Sequence, residues 1–230
     1  MLVNRKGKEM EPIRISSDLS AVPDGANCAV IIRHGDRGGG ENKIVNVDEE
    51  LNETGRMRSE LLGGLLSNFT SLRSYSSPIG RCMDTCVHIS KGYGTIVEPK
   101  ATEFLGMSAP FMVDPNAAYA KMKQLGLLGF VDAYVHDSLD RNMVLPCMEG
   151  TEMMFNNAIE HIKDMRGGVG VFVTHDMIIT PAMAYFFGFD FRNGLAPFLD
   201  GIVLYSKGNG YAARHGGKEM AVSMSGKPLP

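Results

Sequence analysis

Two apolar runs, each ending in a polar cluster that contains a histidine, restrict the possible folds of this chain most strongly. Residues 28–32 read CAVII and precede RHGDR at 33–37, while residues 169–174 read VGVFVT and precede HD at 175–176. Short continuous apolar runs rich in β-branched residues are typical of strands buried on both faces of a parallel sheet. Ligands bind outside the carboxyl ends of such strands, so we expect both clusters to converge on one crevice.

The chain between the two clusters alternates between helical and strand patterns. Residues 51–69 have leucines at the spacing of an amphipathic helix, and residues 71–75 form a weak strand pattern. Residues 81–90 are predicted as a helix and residues 95–97 as another short strand. This alternation predicts an α/β fold, a three-layer α/β/α sandwich with a mostly parallel central sheet and a small cap insertion.

Residues 98–150 interrupt the alternation. They are rich in Pro, Gly and Met without a long period, which indicates an irregular or helical cap over the sheet. Because α/β domains often exceed about 200 residues, we expect residues 1–230 to form a single domain in which this cap segment selects the substrate.

Four further predictions concern local structure in the second half of the chain. Thr151 is the expected N-cap of a helix, and the helix after THD is expected to be interrupted near Pro181. The segments 202–206 and 211–214 flank KGNG and are predicted to form an edge hairpin. The tail from residue 216 onward is expected to be loosely held.

Charge and composition exclude several kinds of partner. The chain has 23 Lys and Arg against 26 Asp and Glu, a net charge of −3, and so lacks the basic excess typical of nucleic-acid binding. It has no apolar run of the length of an export signal or a membrane span, and its four cysteines show no CxxC pairing. We expect a cytoplasmic protein, monomer or homodimer, that binds neither nucleic acid nor membrane.

Three arginines indicate the ligand. Arg33 and Arg37 flank the first histidine cluster, and Arg81 opens a helix directly after the turn-prone SSPIG. Guanidinium groups beside a helix N-terminus suit a phosphate group. The predicted partner is therefore a small-molecule phosphate ester.

Four motifs in this order resemble the histidine phosphatase superfamily, which includes the cofactor-dependent phosphoglycerate mutases and the histidine acid phosphatases. They are a strand followed by RHG at 33–35, LNETGRMRSELLG at 51–63, SSPIGRCMDT at 76–85, and a strand ending in His175. The resemblance implies a phosphomonoesterase that needs no metal or cofactor.

The resemblance also implies a role for each site residue. His34 is expected to accept the phosphoryl group as a phosphohistidine, while Arg33, Arg81 and His175 grip its oxygens. A neutral imidazole is a competent nucleophile near neutral pH, and fixed cations stabilise a charge-rich transition state. These residue types therefore suit the implied chemistry.

The resemblance offers two proton donors. The His-Asp pair of the acid-phosphatase-like branch corresponds to Asp176, which we favour, and the acid after the third strand in the mutase-like branch corresponds to Glu103. The chain departs from the acid-phosphatase pattern at Gly38 and Gly39, where a Pro is usual shortly after Arg37. This departure leaves the role of Arg37 open.

Three alternatives and one control complete the sequence-based interpretation. The same phosphohistidine could serve a phosphomutase, the pocket could bind a phospholigand without turnover, or the two His-Asp clusters could hold a metal, which three nearby arginines would oppose. A second RHG at 214–216 follows a hairpin pattern rather than a buried strand, so we interpret it as coincidence.

Overall fold

A computed structural model describes residues 11–38, 49–107, 109 and 111–229. Its strands are β1 (Cys28–Arg33), β2 (Leu72–Ser76), β3 (Lys100–Ala101), β4 (Val169–Thr174), β5 (Gly201–Lys207), β6 (Gly210–His215) and β7 (Lys218–Val222). Its helices are α1 (Ser16–Leu19), α2 (Glu53–Leu65), α3 (Gly80–Tyr93), α4 (Pro115–Val135), α5 (Cys147–Ile162) and α6 (Asp176–Phe187), with a single 3-10 turn at Glu103–Leu105.

The seven strands among the described residues form one mixed sheet in the order β3-β2-β4-β1-β5-β6-β7. β1 to β4 are parallel, and the last three strands add to β1 as an antiparallel meander. In the parallel part, Arg33 is opposite Thr174, and Ser76 is opposite Val173 on the other side of β4. The chain therefore leaves β1, β2 and β4 at nearly the same level of the sheet.

Helices cover both faces of the sheet because the central strands are apolar on both sides. Ala29 and Ile31 pack towards α5 and α6, whereas Val30 and Ile32 pack towards α2 and α3. All six residues of β1 and all six of β4 are buried, as the continuous apolar runs predicted. The predicted three-layer α/β/α class is confirmed.

The cap segment, residues 98–150, contributes most of a separate apolar cluster. Phe111, Phe130 and Val144 pack there against Met177 and Ile178 at the start of α6. The main cap helix, α4, is interrupted at Gly126, where φ is 70° and ψ is 167°. The segment thus lies beside the helix that begins at the second histidine cluster. Within the described ranges, no helix is both long and apolar enough to cross a membrane.

Two sequence predictions of element boundaries are wrong. Residues 95–97 form no strand, and Ile96 is 97% exposed; the short strand lies at Lys100–Ala101 instead. Thr151 is not an N-cap, because α5 begins at Cys147 and the Thr151 hydroxyl donates to the carbonyl oxygen of Cys147 one turn earlier. A hydroxyl inside a helix bonds to the preceding turn as readily as one at the N-terminus bonds forward.

Two further predictions are corrected in the last third of the chain. α6 continues through Pro181, since nine of its twelve residues are buried and this packing offsets the missing hydrogen bond. The predicted hairpin is present, but it is not at the edge of the sheet, because residues 218–222 of the supposedly loose tail form the outer strand β7. Met220 of this strand packs against the core, which explains why the tail is held.

Candidate active site

The two predicted histidines lie side by side at the carboxyl edge of the sheet. The backbone N–H of His34 donates to Thr174 O at 3.0 Å, continuing the pairing of β1 with β4. The imidazole rings of His34 and His175 are 5.6 Å apart between centroids, and each residue is 2% exposed. The expected convergence of the two clusters is present in the structure.

The hydrogen bonds of His34 define which ring nitrogen is available. Nδ1 lies 2.8 Å from the carbonyl oxygen of Gly35, which can only accept, so Nδ1 carries the proton. Arg81 donates from Nε to Nε2 of His34 at 3.0 Å, so Nε2 presents a lone pair. Burial, followed by the nearby charge of Arg33, holds the pKa of His34 well below its usual value. His34 is therefore neutral with its lone pair on Nε2.

His175 is neutral for similar reasons. Nη2 of Arg81 lies 3.4 Å from Nδ1, and Nε2 lies 2.9 Å from the hydroxyl oxygen of Ser77. Because a guanidinium can only donate, Nδ1 accepts and Nε2–H donates to Ser77. Burial, then Arg81 and Arg33, lowers the pKa of His175 to about 3. A donor directed from His175 into the site would therefore require this ring to rearrange or gain a proton.

Arg33 is fixed on three sides at the end of β1. Its Nη1 donates to Ala196 O at 2.7 Å, and its Nη2 forms an ion pair with Asp176 at 2.9 Å. The ring of Phe198 lies against the guanidinium, with Cζ 3.9 Å from the ring centroid. Arg33 is 1% exposed, so these contacts replace the water it would otherwise bind.

Arg37 also belongs to the cluster, despite the glycines that follow it. It is buried, forms an ion pair with Glu49, and its charge contributes to the low pKa of His175. Gly38 is described, whereas Gly39 lies outside the described residues. The structure thus places Arg37 with the predicted residues.

The electrostatics of the cluster suit an anion. Both histidines are neutral, so the charged groups among the described site residues are the guanidinium groups of Arg33, Arg37 and Arg81 and the carboxylates of Asp176 and Glu49. The helices α3 and α6 also begin at this edge, at Gly80 and Asp176. Their first N–H groups and dipoles favour negative charge.

The turn after β1 is held by residues from the other two motifs. The backbone of Asp36 packs on Gly55, where a Cβ would lie 2.3 Å from Asp36 O, so only glycine fits. Arg58 grips the Asp36 carboxylate with Nη1 at 2.8 and 3.0 Å. Thr85 accepts a hydrogen bond from Gly35 N–H at 3.0 Å. The LNETG and SSPIGRCMDT motifs therefore fix the loop that carries His34.

The two candidate proton donors occupy different positions. Asp176 is 8% exposed and lies inside the cluster against Arg33. Glu103 is exposed on the 3-10 turn that follows β3, and this turn is held near the site by a hydrogen bond from Thr102 N–H to Ser76 O at 2.8 Å. Both carboxyl groups thus lie on the carboxyl side of the sheet.

Sequence reasoning missed three residues that contact the cluster. Ser77 lies within the SSPIGR motif, which could have indicated it. Glu49 and Phe198 belong to no motif, and no period in the sequence marks them. The second RHG is structural, since His215 lies in β6 and its Nδ1 binds Gly201 O at 2.8 Å.

A metal ion bound by the protein would need several ligand side chains close together. Among them, no three His, Cys, Asp or Glu side chains are grouped to hold an ion. The Asp36 carboxylate, one of the four groups considered as ligands, is bound to Arg58.

Comparison with known proteins relates part of the chain to a known family. The family model of the histidine phosphatase superfamily (branch 1) matches residues 29–105, a range that contains His34, Arg81 and Glu103. The match covers about a third of the 230 residues and agrees with the resemblance that the sequence motifs indicated.

Solved structures share the fold at low sequence identity. YhfR from Bacillus stearothermophilus is 16% identical, with a TM-score of 0.55, over 86% of this chain and 98% of that one. Mycobacterial hydrolase 1 is 17% identical, with a TM-score of 0.51, over 78% and 91%. A mutant phosphoserine phosphatase from Entamoeba histolytica, in complex with phosphoserine, is 15% identical, with a TM-score of 0.50, over 85% and 95%. No curated protein matches the sequence.

Proposed function

We propose that this protein is a metal-independent phosphomonoesterase that hydrolyses a small phosphate ester through a phosphohistidine on His34. The observation that carries the proposal is the Nε2 lone pair of a buried, neutral His34 beside the guanidinium groups of Arg33 and Arg81. A lone pair at a fixed atom, surrounded by cationic donors, is what nucleophilic attack on phosphorus requires.

In the first step, Nε2 of His34 attacks phosphorus, the new P–N bond forms, and the ester P–O bond breaks. The leaving oxygen takes both electrons of that bond and receives a proton from a carboxylic acid. Nδ1–H keeps its hydrogen bond to Gly35 O, which stabilises the positive charge that the ring gains. Arg33 and Arg81 stabilise the negative charge on the transferring oxygens.

In the second step, water attacks phosphorus and the P–N bond breaks. The carboxylate that gave its proton takes one from the attacking water, so both groups return to their starting states. The net reaction consumes one water and releases an alcohol or phenol and inorganic phosphate. No metal ion or cofactor takes part in this scheme.

Asp176 is the proposed proton donor. Its carboxyl group forms an ion pair with Arg33 at 2.9 Å. A bound phosphate dianion would compete for the Arg33 guanidinium and place a second negative charge beside the carboxylate. The carboxyl group therefore lies next to a proposed phosphoryl-binding side chain, where it can reach the leaving oxygen. Glu103 is the alternative donor, free of this ion pair but exposed.

We infer that the cap segment selects the organic part of the substrate, because the segment packs against the start of α6, beside the second histidine cluster. Apolar side chains from the cap and from α6 also line a small cavity of about 10 Å³, among them Phe104, Phe111, Tyr134 and Ile178. Leu105, also in its wall, accepts a hydrogen bond at its carbonyl oxygen from Thr174, the residue before His175, at 2.8 Å. The cavity therefore lies near the proposed site.

The proposal is tested with para-nitrophenyl phosphate in the presence of a chelator. We expect the protein to hydrolyse this ester at an undiminished rate, and the substitution His34→Ala to lower kcat/KM about a thousandfold or more. The matched control is His215→Asn in the second RHG, where the amide keeps the hydrogen bond to Gly201 O. Full activity of the His34→Ala variant would contradict the proposal.

A further inference from the structure

We propose that Phe198 is a positioning residue for phosphoryl transfer, which holds Arg33 and His34 in their reactive arrangement. This inference rests on the function proposed above. Phe198 lies in none of the motifs of the family resemblance, 164 positions along the chain from His34. What indicates its role is the set of contacts that it and its neighbours make.

The ring of Phe198 lies against two site residues. The Arg33 guanidinium lies over the ring with Cζ 3.9 Å from the centroid, and the His34 imidazole lies 5.6 Å away between centroids at an interplanar angle of 44°. Phe198 is 6% exposed, so its ring occupies space that water would otherwise fill. A single side chain thereby shields both Arg33 and His34 from water.

The backbone around Phe198 is bound to the same arginine. Arg33 N–H donates to Asp200 O at 3.0 Å, and Leu199 N–H donates to Arg33 O at 3.2 Å. Ala196 O accepts from Nη1 of Arg33 at 2.7 Å. The segment 196–200 therefore contacts the main chain of Arg33, the Nη1 atom of its side chain and the face of its guanidinium group.

The conformation of Leu199 indicates that this arrangement is imposed on the chain. Its φ is 59°, in the left-handed region that a leucine rarely adopts. Such a residue persists only where surrounding contacts over-determine it, and it is enriched at functional sites. The two hydrogen bonds to Arg33 from residues 199 and 200 are contacts of this kind.

The ring can act on the reaction in two ways. The negative face of an aromatic ring attracts a guanidinium and restricts its plane, so the Arg33 nitrogens stay aimed at the phosphoryl oxygens. Exclusion of water from His34 also sustains the burial that is the main cause of its low pKa. Loss of the ring should therefore lower kcat and raise the pKa of His34 towards its ordinary value.

The test compares three substitutions of Phe198 in the full chain with para-nitrophenyl phosphate as substrate. Phe198→Ala removes the ring, Phe198→Leu keeps apolar bulk without the aromatic face, and Phe198→Tyr keeps the face. We expect Phe198→Ala to lower kcat/KM about tenfold to a hundredfold, a range typical of misplaced catalytic groups, and to move the acidic limb of the pH profile to higher pH. Phe198→Leu should lose at least about fivefold in kcat, and Phe198→Tyr should retain near wild-type kcat.

Phe189→Ala is the matched control, because Phe189 is a partly buried phenylalanine whose ring also lies next to a histidine, His215, at 5.7 Å between centroids. This control should leave kcat and the pH profile unchanged. If Phe198→Leu, which should fold even if Phe198→Ala does not, has wild-type kcat and a wild-type pH profile, the inference is wrong. The proposed function is judged separately, by whether the His34→Ala variant is inactive.

Discussion

Arg81 donates a hydrogen bond from Nε to Nε2 of His34 at 3.0 Å, the atom with the lone pair needed for nucleophilic attack. This bond holds the imidazole in place. A phosphoryl group that approaches Nε2 must take over this donor, so the same N–H can pass from the nucleophile to the transferring group. Arg81 is 2% exposed, which limits the alternatives available to its side chain.

We predict that Arg81→Ala lowers kcat/KM by a factor of about a hundred to a thousand, the usual cost of removing one donor to a developing anion. Arg81→Lys should recover only part of this loss, because an ammonium group cannot donate to His34 and His175 in the fixed geometry of a guanidinium. Steady-state kinetics of both variants measure the effect, and the exposed Arg192→Ala serves as control. Wild-type activity in Arg81→Lys would show that charge alone suffices.

Two glycines in α2 provide a matched test of how the first histidine loop is held. A Cβ at Gly55 would lie 2.3 Å from Asp36 O, whereas a Cβ at Gly64 would meet nothing nearer than Gly92 O at 4.0 Å. Gly55→Ala should reduce the free energy of unfolding by about 1–3 kcal/mol and lower activity by displacing the loop. Gly64→Ala should stabilise the protein by up to about 1 kcal/mol and leave kcat unchanged. Chemical denaturation measures the change in stability, and steady-state kinetics measure the change in activity. Equal effects of the two substitutions would contradict the close packing of Asp36 on Gly55.

The buried neutral histidines predict a loss of stability in acid. For His175, the pKa falls from 6.5 to about 3 on folding, so between these values the unfolded chain binds a proton that the folded chain does not. Stability must therefore fall as the pH falls through this window, at up to about 1.4 kcal/mol per pH unit for each such histidine.

The substitution His175→Gln should make the free energy of unfolding less dependent on pH between neutrality and pH about 4. Urea denaturation at a series of pH values measures this, and the carboxylates common to both proteins largely cancel in the comparison. Parallel curves for the wild type and the variant would contradict the low pKa of His175.

Dependence on the leaving group distinguishes Asp176 from Glu103 as proton donor. Removing a general acid slows esters of poor leaving groups, such as alkyl phosphates, far more than esters of nitrophenols, which leave without a proton. We predict that Asp176→Asn slows alkyl phosphate hydrolysis about a hundredfold or more, with a much smaller effect on para-nitrophenyl phosphate. The reverse pattern, with the selective loss in Glu103→Gln, would assign the donor to Glu103.

Much of the sheet was predictable because its central strands carry their own signal. The runs CAVII and VGVFV are apolar on both faces, and the structure buries every residue of β1 and β4. The errors arose where tertiary contacts decide the outcome. Thr151 lies inside a helix that starts earlier, and residues 218–222 become a strand only because β6 offers them a free edge.

Part of the candidate site could also be predicted from the sequence, and part could not. His34 and His175 follow strand patterns closely, and Arg81 follows one after a short turn, so the shared carboxyl edge of a parallel sheet was enough to bring them together in prediction. Phe198 precedes β5, which pairs antiparallel with β1, and no local pattern shows that its side chain returns to Arg33. Such contacts depend on the three-dimensional path of the chain.

The most direct test of the account is chemical trapping of the intermediate on His34. The protein is mixed with an ester labelled in its phosphoryl group, denatured in alkali within one turnover, and digested for peptide mapping. We predict labelled protein in which the label is stable to base, labile to acid and located on His34, present in His215→Asn and absent from His34→Ala. Label on another residue, or label that persists in His34→Ala, would contradict the central claim.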